Sequence, residues 1–243
     1  MRTILIFLSL VIIAIISIPL YGVVWILGKI NPMLMHRFSQ RIVKIVFRFW
    51  LFLAGTRYTV IGREKVPTDE PVLYIANHRS FFDPILGYAF VPTPTAFVAK
   101  DDIKKIPCVA QWMYFLNCSF LDRNDVKSGM EMIKKNIKLV KENKLSVCIS
   151  PEGTRNSGDT LLPFKEGSFR IATRTNCKIV PVCYTNTENI FEAHLPWVKK
   201  ARVTMEFGDA IDTSSLDRDA KKHIGETVRQ IVQDCMMKGE SNV

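Results

Sequence analysis

An apolar run near the start of the chain most constrains what it can fold into. Residues 4–28 carry no charge, and Arg2 and Lys29 bound them. A helix of this length reaches across the roughly 30 Å hydrocarbon core of a bilayer. A signal peptide is the alternative, although its apolar region is normally shorter and ends at small residues. Pro19, followed by Gly22, is expected to break or kink the run. The segment is therefore predicted either to span the bilayer or to fold back within one leaflet.

The next segment, residues 33–53, carries its basic side chains on one helical stripe. Arg37, Arg41, Lys44 and Arg48 recur at spacings of four, three and four residues. The other side of the same helix is apolar and comprises Phe38, Ile42, Ile45, Val46, Phe49 and Leu53. This pattern is typical of a helix lying in an anionic membrane interface. The alternative is a helix that packs on the core and leaves its basic face in water.

These two segments predict how the chain is divided and oriented. Residues 1–55 are expected to form membrane-anchoring helices, and residues 56–243 a separate globular domain. If the apolar run spans the bilayer, the basic cluster after it holds the globular domain on the cytoplasmic side. In a bacterium this places the protein at the inner membrane.

Net charge indicates the kind of partner to expect, and cysteine content indicates whether disulfides or metal sites are present. A formal net charge of +10 implies an anionic partner, either nucleic acid or an anionic lipid surface. The basic stripe lies on an apolar helix and no aromatic-basic platform is visible, so we expect the membrane and no nucleic acid. None of the six cysteines forms a CxxC pair, which predicts reduced thiols rather than disulfides or zinc ligands. No cluster of metal-ligating residues is visible, and we predict no metal.

The rest of the chain alternates short apolar runs with helical patterns. Strands are predicted at residues 58–61, 72–76, 96–99, 118–121, 146–149, 179–184 and 203–207. Apolar helical stripes are predicted at Met130, Ile133, Ile137 and Val140, and at Ile224, Val228, Ile231 and Cys235. Strands separated by helices favour an α/β fold, with a mostly parallel layered sheet flanked by helices.

Candidate chemistry follows the second predicted strand, where His78 and Asp83 lie five positions apart. On one helix these side chains would point about 140° apart, so a turn is the better explanation. With Pro84 at the first position of the next helix, the carboxylate can fold back to the imidazole. It would then fix the tautomer and leave the other ring nitrogen to accept a proton from a hydroxyl. A solvated histidine beside a capping aspartate is the alternative.

A second candidate loop follows the fifth predicted strand. Gly153, Thr154 and Arg155 beyond a strand end form a plausible anion site, because a guanidinium can bind phosphate through two hydrogen bonds. The same residues are also common in ordinary turns. Residues 164–168 add a further cation near a helix start, or simply form a loop that enters that helix.

Together these loops resemble the glycerolipid acyltransferases, the group that contains 1-acylglycerol-3-phosphate acyltransferase. His78 and Asp83 match the HxxxxD motif of that family. The other blocks follow in the family's order: Lys100 with Ile103 and Pro107 and then residues 120–123, next residues 152–155, and last residues 179–182. Four blocks in the right order make the resemblance specific, and it implies that residues 56–243 are the catalytic domain.

The resemblance also implies roles for individual residues. His78 would be the general base that deprotonates the acceptor hydroxyl, and Asp83 would orient it. The residues implied at the acceptor phosphate are Lys100, Arg123, Glu152, Gly153, Thr154 and Arg155, with Pro181 on the acyl-donor side. The acyl donor would be acyl-CoA or acyl-ACP, which makes acyl carrier protein a possible partner, and neither a cofactor nor a metal is required.

The expected reaction acylates 1-acyl-sn-glycerol 3-phosphate to phosphatidic acid, for phospholipid biosynthesis. Three alternatives remain open at this point. The acceptor can be a different lysophospholipid, or the protein can hydrolyse acyl thioesters. It can also be a non-catalytic, membrane-associated lipid-binding protein, although binding a phosphate does not need the pair formed by His78 and Asp83.

Overall fold

The computed structural model describes residues 1–240, so the end of the predicted catalytic domain, residues 241–243, lies outside the described residues. Its strands are β1 (Arg57–Ile61), β2 (Leu73–Ala76), β3 (Thr95–Lys100), β4 (Ser119–Leu121), β5 (Ser146–Ile149), β6 (Ile179–Thr185) and β7 (Arg202–Phe207). Its helices are α1 (Arg2–Ile30), α2 (Pro32–Ala54), α3 (Asp83–Phe90), α4 (Pro107–Phe115), α5 (Val126–Lys141), α6 (Arg170–Thr175), α7 (Arg218–Lys222) and α8 (Ile224–Glu240). All seven predicted strands are present, with bounds shifted by at most one residue at either end.

The seven strands form one sheet in the order β1-β7-β6-β2-β5-β3-β4. Strands β2 to β6 run parallel to one another, whereas β7 is antiparallel to β6 and parallel to β1. The prediction of an α/β fold with a mostly parallel sheet is confirmed. Because parallel strands share a direction, the loops after β2, β3, β4, β5 and β6 all leave the same edge of the sheet.

Helices cover both faces of this sheet. In β2, Tyr74 and Ala76 pack into the apolar cluster under α1 to α4, whereas Leu73 and Ile75 pack into the cluster under α5, α6 and α8. Alternate side chains of a strand point to opposite faces, so a strand buried on both sides reads as a continuous apolar run. This explains why β2, β5 and β6 were recognisable in the sequence.

The buried faces of α5 and α8 differ in part from the predicted stripes. Helix α5 buries Met132, Asn136, Leu139 and Val140, and Ile133 packs partly buried against the core, whereas Met130 is exposed. Helix α8 buries Ile224, Val228, Val232 and Met236, and Cys235 packs partly buried against the same core, whereas Ile231 is exposed. Both helices carry apolar residues on more than one side, and the sequence pattern alone does not show which side meets the sheet.

The predicted break at Pro19 is wrong, because α1 continues as one helix through that proline. The chain turns instead at Asn31, whose side chain accepts hydrogen bonds from the backbone N–H groups of Met33 and Leu34, 2.8 and 3.2 Å away. Pro32 then occupies the first position of α2, where its missing N–H costs nothing. A proline within α1 removes one hydrogen bond, whereas Asn31 and Pro32 together define a helix start.

Helix α2 uses part of its basic stripe to dock on the globular domain. The Lys44 ammonium and the Arg48 guanidinium donate to the carbonyls of Val91 and Ala89, at the end of α3. These carbonyls lack partners within their own helix, and a nearby cation is favourable there. Arg37 and Arg41 are exposed. The interpretation of α2 as a helix that packs on the core is therefore confirmed for part of its surface, and its contact with an anionic membrane stays a prediction.

Polar side chains anchor α2 more deeply. The Gln40 side chain donates to the Thr93 carbonyl at 2.8 Å and accepts from the Thr95 N–H at 2.9 Å. His36, which is fully buried, contacts the Gln40 amide oxygen at 3.1 Å. Helix α2 is thus packed against the globular domain as an integral layer of the structure.

Candidate active site

Most of the predicted site residues follow the carboxyl ends of adjacent strands. Strand β2 lies between β5 and β6, and His78 begins the loop after β2. Asn77 extends this junction: its side-chain amide donates to the Tyr184 carbonyl at 2.9 Å and its oxygen accepts from the Tyr184 N–H at 2.7 Å. The fully buried Asn77 side chain thus ties the end of β2 to β6, and the start of the His78 loop is fixed.

The Asp83 carboxylate organises the His78 loop. One oxygen, Oδ2, accepts from His78 Nδ1 at 2.8 Å, from the Arg79 N–H at 2.6 Å and from the Ser80 N–H at 2.7 Å. The other, Oδ1, accepts from the Thr187 hydroxyl at 2.5 Å. An ionised carboxylate only accepts, so Nδ1 carries the ring proton and Nε2 presents its lone pair. The predicted turn that returns Asp83 to His78 is therefore confirmed as geometry.

The second loop is bonded directly to the backbone of His78. The Glu152 carboxylate accepts from the His78 N–H at 3.0 Å, and the His78 carbonyl accepts from the Asn156 N–H at 2.7 Å. The second Glu152 oxygen accepts from the side chain of Asn156 and from the Leu162 N–H. Burial raises the pKa of Glu152. The Glu152 carboxylate faces these backbone groups, so it joins the two loops.

Gly153 allows a cation to approach this loop. Its φ of +74° is one that L side chains rarely adopt, and a Cβ added there would lie 2.8 Å from Lys165 Nζ. Lys165 is the cation of the segment 164–168 noted in the sequence. Its backbone N–H donates to the Pro151 carbonyl at 3.1 Å. The glycine therefore serves both the turn and the close approach of an ammonium group.

Arg155 lies beside the His78 loop, and its charge acts on a second predicted phosphate-binding cation. Partial removal from water and, second, the positive charge of Arg155 lower the pKa of Arg123. Arg155 also stacks on the Phe81 ring, with its guanidinium carbon 3.7 Å from the ring centroid. Arg155 thus lies beside the His78 loop with 40% of its side chain exposed.

The other predicted site residues are Lys100, Thr154 and Pro181. Lys100 ends β3 and pairs with Asp102. Thr154 is exposed on the loop surface. Pro181 is buried within β6, opposite Ile75 of β2, so its effect on a substrate would pass through the sheet. The roles assigned to these residues stay predictions.

Sequence reasoning missed a group of residues after β6. Thr187 holds Asp83, and Glu188 forms two hydrogen bonds with the Arg79 guanidinium at 2.7 and 2.8 Å. Glu192 contacts both loops at once. No motif marks this segment. Its position after the carboxyl end of a central strand was the one available signal.

Comparison with known proteins shows a family match over the part of the chain that carries these loops. The Acyltransferase family model matches residues 57–185, which include every predicted site residue. The chain belongs to the Acyltransferase family. Thr187, Glu188 and Glu192 lie beyond the matched residues.

Individual relatives narrow the comparison. The chain is 30% identical over 198 residues to a 1-acyl-sn-glycerol-3-phosphate acyltransferase of Borreliella burgdorferi, covering 81% of this chain and 79% of the relative. It is 30% identical over 173 residues to the protein of that name from Escherichia coli, covering 70% of each. The crystal structure of the 1-acyl-sn-glycerophosphate (LPA) acyltransferase PlsC from Thermotoga maritima superimposes with a TM-score of 0.76, at 25% identity, over 98% of this chain and 97% of that one.

The contact between Thr187 and Asp83 predicts a measurable effect on acyl transfer. Replacing Thr187 by Val keeps a similar shape but leaves Oδ1 of the buried Asp83 without a donor, at a cost of about 1–3 kcal/mol. We expect kcat to fall about tenfold or more. Thr187→Ser retains the hydroxyl and should keep most of the activity. A Val variant with the kcat of the wild type would contradict this role.

Proposed function

We propose that the protein transfers a fatty acyl group from an acyl thioester to the free hydroxyl of 1-acyl-sn-glycerol 3-phosphate. The observation that carries this proposal is the pairing of His78 with Asp83 directly beside the Arg155 loop. A base and a cation in contacting loops suit a substrate that carries both a hydroxyl and a phosphate. The names of the relatives support the same acceptor.

The proposed chemistry follows from the free lone pair of His78. Nε2 takes the proton of the acceptor hydroxyl as its oxygen attacks the thioester carbonyl. The Asp83 carboxylate stabilises the imidazolium that forms. When the C–S bond breaks, the imidazolium returns its proton to the leaving thiolate. The products are phosphatidic acid and a free thiol on coenzyme A or acyl carrier protein, and no acyl-enzyme is needed.

The acceptor phosphate is proposed to meet Arg155 and Arg123. A phosphomonoester carries close to two negative charges at neutral pH, and two guanidinium groups, one of which acts electrostatically on the other, would match that charge. The repulsion between the cations disfavours their approach in the absence of an anion. A dianion between them would relieve it. This arrangement supports a lysophosphatidic acid over a lysolipid with a neutral head group.

A direct assay tests the proposed reaction. Purified protein is offered labelled acyl-CoA or acyl-ACP with a panel of lysolipids, and esterified and free acyl products are measured separately. We expect esterification of lysophosphatidic acid, and His78→Ala should lower kcat by about 10²–10⁴-fold because a general base contributes that much. His223→Ala, at the end of α7, is the matched control and should be unaffected.

Three results would contradict the proposal. Release of free acid without esterification would identify a thioesterase. Equal rates with all head groups would remove the phosphate from recognition. Binding of lysophosphatidic acid with no turnover of acyl-CoA or acyl-ACP would indicate a lipid-binding protein.

We further propose that α1 and α2 hold the protein on one leaflet of an anionic membrane. Within residues 1–240, α1 is the one helix long and apolar enough to cross a bilayer, and most of it is not covered by protein. Helix α2 exposes Ile45, Phe49 and Phe52. Exposed apolar surface of this extent suits lipid, and the exposed Arg37 and Arg41 suit anionic head groups.

Contacts along α1 favour an in-plane arrangement over a span. The Val198 N–H donates to the Thr3 hydroxyl at 2.9 Å, the Trp112 ring donates to the Ser17 hydroxyl at 2.8 Å, and Tyr21 contacts Cys108 at 3.2 Å. From residue 3 to residue 21 a helix rises about 27 Å, nearly the thickness of the hydrocarbon core. An upright α1 would carry the contacting parts of the catalytic domain into the hydrocarbon. A helix in one leaflet avoids this cost.

Tags on sealed anionic vesicles test the membrane arrangement. Protein bound to preformed vesicles should leave an N-terminal tag and a C-terminal tag accessible to protease on the same side. The double variant Arg37→Gln, Arg41→Gln should bind anionic vesicles about 30-fold more weakly, at about 1 kcal/mol per cation.

The matched control removes two charges from the opposite face of the sheet. Lys134→Gln with Lys138→Gln on α5 should bind as the wild type does. Tags found on opposite sides of the bilayer would show that α1 spans it. Equal weakening by both charge pairs would show that α2 has no specific contact with the lipid surface.

A further inference from the structure

Glu192 connects the two loops that carry the proposed base and the proposed phosphate-binding cation. Its Oε2 accepts from the Ser80 hydroxyl at 2.6 Å, and its Oε1 accepts from the Phe81 N–H at 2.7 Å. Oε1 also lies 3.3 Å from Arg155 Nη1. Only 17% of the Glu192 side chain is exposed, so this carboxylate has a defined position and is not a mobile surface group.

The Arg155 guanidinium is thereby fixed on one face and one edge. The Phe81 ring covers a face, and Glu192 holds one N–H group at the edge. Among the residues that the structure describes, no other acceptor binds its remaining N–H groups. A guanidinium has five donors, so one edge of Arg155 stays available for an anion other than Glu192. The contact is therefore compatible with a phosphate bound at the same time.

The placement of Glu192 indicates whether this carboxylate positions Arg155 or competes with the phosphate for it. A carboxylate that merely filled the phosphate site would depend on Arg155 for its position. Glu192 instead forms its two short hydrogen bonds with Ser80 and Phe81, residues of the His78 loop, and its contact with Arg155 is the longest of the three. The carboxylate is thus part of the His78 loop, and Arg155 is held against it.

We infer that Glu192 is a positioning residue that sets the distance between the phosphate-binding Arg155 and the base His78. This inference rests on the proposed function and refines it. In 1-acyl-sn-glycerol 3-phosphate the free hydroxyl and the phosphate are on neighbouring carbons, so only a limited separation of cation and base lets both ends engage. A guanidinium free to swing would hold the phosphate less firmly while the hydroxyl lies at the base, so the acceptor would bind more weakly in its productive orientation.

Kinetics of Glu192→Gln test the inference. The amide keeps the size of the side chain and an acceptor oxygen for the Phe81 N–H, but it loses the charge that holds Arg155. We expect KM for lysophosphatidic acid to rise about tenfold, as for one charge-assisted hydrogen bond, with KM for acyl-CoA unchanged. Glu70→Gln is the matched control: Glu70 pairs with Lys178 at 2.8 Å at the amino end of β6 and should leave both constants unchanged.

A double-mutant cycle separates positioning from general support of the fold. If Glu192 acts through Arg155, then adding Glu192→Gln to Arg155→Ala should raise the acceptor KM no further. Independent, additive effects would overturn the inference. So would a lower acceptor KM in Glu192→Gln, which would identify a competing carboxylate, or an equal loss for both substrates together with a lower melting temperature.

The same experiment distinguishes this inference from the function on which it rests. Wild-type protein that does not acylate lysophosphatidic acid would overturn both. Wild-type transfer combined with an unchanged acceptor KM in Glu192→Gln would overturn the positioning role and leave the proposed reaction standing.

Discussion

The Asp83 carboxylate accepts four hydrogen bonds from groups in two separate parts of the chain. It is almost completely buried, at 2% exposure, so each of these donors replaces water that the charged group would otherwise require. The backbone N–H groups of Arg79 and Ser80 shape the turn, Thr187 attaches the loop after β6, and His78 receives a fixed orientation. The turn, the tautomer and the approach of a distant loop all depend on this one charge.

The His78 loop in turn supports the surroundings of the proposed substrate. Its backbone is bonded to Glu152 and Asn156, which brings the loop after β5 into contact. Its Ser80 and Phe81 hold Glu192, and Phe81 carries the stacked Arg155. The proposed base and the proposed phosphate-binding cation therefore lie on one connected set of loops above a mostly parallel sheet, as a reaction that needs both ends of one substrate would require.

Sequence reasoning predicted the parts of this structure that local pattern determines. Doubly buried strands such as β2 read as apolar runs, and the return of Asp83 to His78 followed from the poor alignment of their side chains on one helix. Sequence reasoning failed where the contacts of a side chain depend on residues far away in the chain. The basic residue Lys44 caps a carbonyl at the end of α3, and Met132 rather than Met130 faces the sheet. Thr187 and Glu192 become site residues only because β6 lies beside β2, a pairing that no local pattern specifies.

The proposed role of His78 requires Asp83 to hold its ring with the proton on Nδ1 and the lone pair on Nε2, where it can accept a proton. Nitrogen NMR of protein with labelled histidine tests this directly, with the His78 signals identified among those of the four histidines by their loss in His78→Gln. At a pH where the ring is neutral, we expect a protonated Nδ1 and an unprotonated Nε2, and loss of this preference in Asp83→Asn. A ring protonated on Nε2 in the wild type would contradict it.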